Sequence, residues 1–198
     1  CLSALAFSAS GLALTTTVQA DDLSGTRITV HSDYLWGEIE PSGFANAGAT
    51  PLKDYESHGD GFGFDLRHDW QDGDTVFGVF GSATWLGLPG GTSVAKSTTD
   101  SEGVTVTTHH GFDTDLSWLA AVGGRIGHVV NDNTLLYIQG GVATGRLEIN
   151  ETGDGAAASG DISKTGYMAG IGLDLQLSDR WSLGVSVNHY ELGDITFT

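Results

Sequence analysis

Several clusters in this sequence carry residue types capable of chemistry. His109 and His110, with Asp113 and Asp115 close behind, could be drawn as metal ligands. Adjacent side chains of an extended chain point to opposite sides, and no further ligand follows at metal-site spacing, so the cluster reads as a solvated loop. Gly59-Asp60-Gly61-Phe62-Gly63-Phe64-Asp65 faintly resembles part of a calcium-binding nonapeptide repeat. Such repeats bind only as stacked arrays, and this one occurs once. Its glycines also lack the third Gly and the following helix of a dinucleotide fingerprint. Ser186, Asn188 and His189 offer the parts of a hydrolase, but strand geometry turns His189 away from the other two. The acidic loops could attract divalent cations loosely. No catalytic residue, metal site or cofactor is expected.

A second set of charges is spaced differently. Asp65, Arg67 and Asp69 alternate with Phe64, Leu66 and Trp70, and Asp174 alternates with Leu173 and Leu175. Arg125, Arg146 and Glu148 likewise lie within long alternating segments. Alternation of this kind places one residue set on each face of a strand. The seven charges Asp65, Arg67, Asp69, Arg125, Arg146, Glu148 and Asp174 are therefore expected to share the face opposite the apolar one. What that face looks onto depends on the strands that carry it.

The longest of these is a hairpin from Phe112 to Arg146. Leu116, Trp118, Ala120, Val122 and Ile126 fall in one phase, and Asp115, Ser117, Gly123, Arg125 and Gly127 in the other. Asn131, Asp132 and Asn133 supply the turn, and the second arm runs from Thr134 to Glu148. Further strands are predicted over Thr26–Glu40, Gly59–Trp70, Thr75–Leu86, Ser163–Leu177 and Arg180–Tyr190. That makes seven. Most are longer than the typical globular strand of about 5 to 6 residues.

The connections alternate between long and short. The long ones are Pro41–His58, Pro89–Gly111 and Asn150–Asp161, read as loops, and the short ones are Gln71–Asp74, Asn131–Asn133 and Ser178-Asp179. Outer-membrane barrels have one rim of tight turns and one of long loops, and a spanning strand needs about 9 to 11 residues. Tryptophan follows the same plan. Trp36, Trp85 and Trp118 sit toward long-loop ends and Trp70 and Trp181 at short-turn ends, as two aromatic girdles require. A sheet in hydrocarbon must leave no open edge and so closes. Its apolar face then meets lipid, while the seven charges point into a narrow lumen and pair there.

Composition agrees with this class. The 198 residues include 30 Gly and one Cys, with 8 basic residues against 25 acidic ones and a formal charge of -17. Such a surface excludes nucleic acid as a partner and disfavours charge-driven adsorption to anionic membranes. Cys1 alone permits no disulfide framework or cysteine-based zinc site. Leu2 to Leu14 is an apolar run leading to Val18-Gln19-Ala20, with small residues where a signal peptidase reads, so residues 1–20 are expected to be a signal peptide lacking its start. The run is too short for a transmembrane helix. The barrel domain is expected over 21–198.

LSWLAAVGGRIGHVVNDNTLLYIQGGVATG, carried by Trp118, Leu119, Val122, Arg125, Gly127, Leu135, Leu136, Tyr137, Gly140, Gly141, Ala143 and Gly145, resembles the middle hairpin of small outer-membrane barrels of the opacity-like surface antigen and porin family. GYMAGIGLDLQLSDRWSLGVSVNHYELGD resembles the family's next hairpin. The resemblance implies an all-β, antiparallel up-and-down transmembrane β-barrel of eight strands, OmpA-like, with periplasmic termini and variable surface loops. Thr26–Glu40 matches the family's first strand only loosely, and the chain ends Ile195-Thr196-Phe197-Thr198 where a closing aromatic strand is usual. The eighth strand is thus expected to be largely missing.

The function expected is a non-enzymatic outer-membrane protein with a structural or surface-interaction role and a packed lumen. Its partners would be outer-membrane lipid and an extracellular or host-surface molecule met by the long acidic loops; oligomeric state is open. Two other readings stand beside it. One is a soluble secreted β-barrel binding a small apolar ligand, the other a narrow diffusion pore.

Overall fold

The structure is a computed structural model that describes residues 2–15, 23–39, 55–99, 105–153, 156–178 and 181–193. Its strands are β1 (Leu2–Thr15), β2 (Gly25–Ile39), β3 (Tyr55–Asp72), β4 (Thr75–Thr99), β5 (Thr105–Asn131), β6 (Thr134–Gly153), β7 (Ala156–Ser178) and β8 (Trp181–Leu192). Each pairs antiparallel with its sequence neighbours, and β1 pairs with β8, so the ring is closed. Closure leaves the band of spanning strands without an exposed row of backbone donors and acceptors. The apolar phase of each strand faces outward: Phe62, Leu66, Val122, Ile138, Ile171 and Leu183 are all exposed.

The eighth strand is not where the sequence placed it. Leu2–Thr15, expected as signal peptide, is β1, paired to β2 as far as Thr15↔Arg27 and to β8 from Leu2↔Leu192 to Ser10↔Gly184. Leu5 faces outward and Ala6 inward. A run of small apolar residues suits a lipid-facing strand as well as a signal core, and the open edges of β2 and β8 are what it satisfies here. The tripeptide Val18-Gln19-Ala20 and the terminal Ile195–Thr198 lie outside the described residues.

Two of the three long connections read as loops are largely hairpin. The β4–β5 ladder continues from Leu88↔Leu116 to Thr99↔Thr105, and the β6–β7 ladder to Gly153↔Ala156. Neither the Thr- and Ser-rich 89–111 segment nor the acidic, Gly- and Ala-rich 150–161 segment has apolar alternation, so no periodicity marks it as strand; backbone pairing continues upward from the barrel wall instead. Most of the third, Pro41–His58, lies outside the described residues, although β2 and β3 remain paired to Ile39↔Tyr55. At the other rim the turns are tight. Gly73, with φ 59°, takes the left-handed conformation that lets Asp72 pair with Thr75.

Two register shifts matter for what faces inward. Between Leu116 and Trp118 the β5–β6 ladder shifts by one, so Leu147 opposes Leu116 while Arg146 opposes Trp118. Such a bulge reverses the phase of a strand. Leu116 is consequently buried in the lumen, opposite to its expected face. The second shift, between Trp85 and Leu88 on β4, lies at the same level, where the hairpin leaves the barrel wall.

Candidate functional site

Because inward positions recur every second residue, β2 delivers Arg27, Thr29, His31 and Asp33 to the lumen, β3 delivers Asp65, Arg67 and Asp69, β5 Arg125 and β7 Asp174. Arg125 grips Asp69 with Nε on Oδ1 at 2.8 Å and Nη2 on Oδ2 at 2.6 Å, while its Nη1 donates to Asp174 at 3.0 Å. Arg67 Nη1 reaches the same Asp174 oxygen at 2.9 Å, and its Nη2 donates to Thr29 Oγ1 at 2.9 Å. Arg27 completes the layer, with Nη1 3.4 Å from Asp69 and Nη2 donating to the Leu23 carbonyl. Tyr137 lies under the Arg125 guanidinium at 4.6 Å. Three guanidiniums thus enclose two carboxylates, the pairing that buried charges require.

Above this layer, His31 has Asp33 3.2 Å from Nε2 and Asp65 3.3 Å from Nδ1, and Thr84 Oγ1 lies 3.1 Å from Nε2. These residues border a chamber of about 40 Å³ that Arg67, Asn188 and Tyr190 also line. That is room for about three water molecules. Ligand pockets are roughly ten times larger. Apolar layers lie on both sides of the charges. Leu35, Phe80, Leu119, Leu147, Met168 and Leu192 pack toward the long hairpins, and Leu23, Val76, Leu135 and Tyr137 toward the short turns.

Of the seven charges expected inside, the structure places Asp65, Arg67, Asp69, Arg125 and Asp174 in the lumen. Arg146 and Glu148 are a correction: both face outward, where Arg146 Nη2 pairs with Asp161 at 2.8 Å and both side chains are about half exposed. The cause is phase. They share parity with Leu136, Ile138 and Val142, which meet the outside, whereas Leu135, Tyr137, Ala143 and Leu147 point in. Arg27, His31 and Asp33 are interior charges the sequence reading left out, although the alternation of β2 carries them in phase with Thr29.

The five tryptophans all lie on the outer wall, with Trp36, Trp70, Trp85 and Trp181 exposed and Trp118 half-buried. Trp85 pairs across the ladder with Trp118, stacks on Phe62 at 5.9 Å and meets Phe64 edge-on at 5.9 Å. Trp70 lies 4.5 Å from His68 beside the first short turn. Tyr34 and Tyr167 extend the upper row: Tyr34 lies 6.0 Å from Trp36, and the Tyr167 hydroxyl donates to Glu191.

Ser186, Asn188 and His189 do not converge on one site. Ser186 and Asn188 point into the lumen and His189 out of it. Among the described residues no group of three or more His, Cys, Asp or Glu is arranged to hold a metal ion. His109, His110 and Asp113 lie on the β4–β5 hairpin, their side chains outside the described set.

The model of the outer membrane protein beta-barrel domain matches residues 1–198. The chain belongs to that family. It is an outer-membrane protein, and with its apolar residues facing outward the soluble, ligand-filled barrel is set aside. No curated protein matches the chain significantly. Among solved structures it is similar to Ail, the attachment invasion locus protein of Yersinia pestis, at 14% identity and a TM-score of 0.33 over 95% of each chain. It is also similar to a deletion mutant of TodX, a monoaromatic hydrocarbon channel, at 13% identity and a TM-score of 0.27 over 96% of this chain and 61% of that one.

Proposed function

We propose that this family member is a non-enzymatic surface-interaction protein: a plugged barrel that holds its hairpins outside the cell for an extracellular or host-surface partner. The carrying observation is the contrast between lumen and rim. The lumen is filled by an ion-pair layer between two apolar layers, with a chamber of only about 40 Å³, while the β4–β5 ribbon runs on from Leu88↔Leu116 to Thr99↔Thr105. Beyond Gly87, β4 has no pairing partner but β5 among the described residues. An edge of this kind offers main-chain donors and acceptors to an incoming extended segment.

The test has two arms. Purified protein in planar bilayers should be electrically silent; stable single-channel steps would establish the narrow pore instead. Cells displaying the full chain should adhere to surfaces coated with extracellular-matrix protein, and cells displaying a variant with residues 90–113 replaced by a tight turn should not. Equal adherence by both would refute the surface role of the ribbon.

A further inference from the structure

The outer wall is not uniformly convex. Between β3 and β5 it sinks into an open apolar dent of about 360 Å³ lined by Ile28, Phe64, Leu66, Gly81, Ala83 and Ala121. Asp65 and Ser82 border it too, but both belong to the lumen chamber as well. We propose that this dent seats one lipid acyl chain, with the polar end of that lipid at the level of Trp85 and Trp118. The proposal needs only the placement in the outer membrane, not the surface-binding role.

The floor of the dent is low because of Gly81, and nothing in the barrel requires a glycine there. A Cβ built on Gly81 would meet only the Ala121 carbonyl oxygen, at 4.0 Å. Gly124 and Gly140 are as unobstructed, a Cβ on each meeting a single carbonyl oxygen at 3.7 and 3.5 Å, but of the three only Gly81 borders the dent. Inward glycines differ: a Cβ on Gly78 would strike Asp69, and one on Gly63 would strike His31. Those are glycines of necessity. A strand glycine without such a reason weakens the strand and marks a place where something else comes close to the backbone.

The surrounding residues define what fits. Phe64 and Leu66 stand on one side, 46% and 56% exposed, and Val122, the ladder partner of Gly81, stands on the other at 64%. They would hold a second barrel's backbone away from the floor while leaving a channel for one flexible chain. The dent continues directly into the lipid-facing band, where neighbouring matter is hydrocarbon and unfilled concave surface forfeits dispersion contacts. At its upper end Trp85 packs on Phe62 and Phe64 beside Trp118. Indole prefers the headgroup level, so the row marks where a polar end belongs.

Gly81→Leu fills the dent, Gly81→Ala fills it partly with a Cβ the structure accommodates, and Val185→Leu enlarges an exposed side chain on β8, away from it. Each full-length protein is extracted gently, shown to be folded by its heat-modifiable migration, and examined by native mass spectrometry after titration with phosphatidylethanolamine. The wild type and Val185→Leu should retain one lipid-bound species that Gly81→Leu loses and Gly81→Ala retains more weakly. Equal retention by Gly81→Leu and wild type overturns the proposal. So does a wild-type dimer that Gly81→Leu abolishes, which would assign the dent to a second copy. If Gly81→Leu does not fold, Gly81→Ala decides by the same comparison.

Discussion

Arg125 holds both carboxylate oxygens of Asp69 from the far side of the lumen, with Nε and Nη2 at 2.8 and 2.6 Å, and both side chains are buried. Its third nitrogen engages Asp174, which Arg67 shares. One side chain from β5 therefore ties β3 to β7 through the barrel interior. A buried pair of this kind adds little net stability compared with apolar packing, but removing one partner strands the other.

Replacing Arg125 by Met should accordingly destabilise the barrel by about 3–5 kcal/mol, the penalty of leaving buried carboxylates uncompensated. Membrane targeting should persist, because the outer wall is untouched. The urea midpoint of refolded protein in lipid vesicles measures the first effect and fractionation the second. An unchanged midpoint would mean that the layer is not a structural tie.

The lumen charges were legible from the sequence wherever alternation ran unbroken. Asp65, Arg67 and Asp69 could be placed because Phe64, Leu66 and Trp70 fix the opposite phase, and Asp174 because Leu173 does. Arg27 and His31 are equally accessible by parity on β2, where Ile28, Val30 and Tyr34 fix the opposite phase, but Arg27 stands at the strand end and neutral Thr and Ser lie between the charges. Leu116 was beyond reach: its face depends on a one-residue register shift at Ser117 that leaves no composition signal. The upper hairpins were hidden for another reason. Their backbone pairing continues from the barrel wall, so polar and small-residue segments form strands without any apolar face to announce them.

The outer wall predicts its own response to charge. Ile171 lies midway along the spanning part of β7 and is 52% exposed. Ile171→Arg should cost about 2–4 kcal/mol in lipid vesicles, as expected for a cation near the bilayer midplane, while Ile171→Val should be close to neutral. Equal midpoints for the two variants would remove the lipid-facing assignment of this wall.

The tryptophans should report two depths. Trp70 and Trp181 lie beside short turns and Trp36, Trp85 and Trp118 toward the hairpins, separated by an apolar band expected to be about 25 Å tall. Single-Trp variants in vesicles brominated at different chain positions should all be quenched best by shallow labels. Labels confined to one leaflet should quench one set and spare the other. Quenching of all five from the same leaflet would dissolve the two-girdle arrangement.

Arg146 and Arg125 make an internal comparison, since both are arginines paired to aspartate and only their phase on the strand differs. Arg146 and Asp161 are 44% and 59% exposed on the outer face, against 1% and 0% for Arg125 and Asp69. An exposed pair gains roughly 0.2–1 kcal/mol and is screened by salt, so Arg146→Met should shift the urea midpoint slightly, and less at high salt. Arg125→Met should shift it several-fold more at any salt concentration, because ions do not screen a packed lumen. The ratio of the two shifts tests the register of β6 directly: were Arg146 inside, as the sequence reading expected, the two substitutions would cost alike.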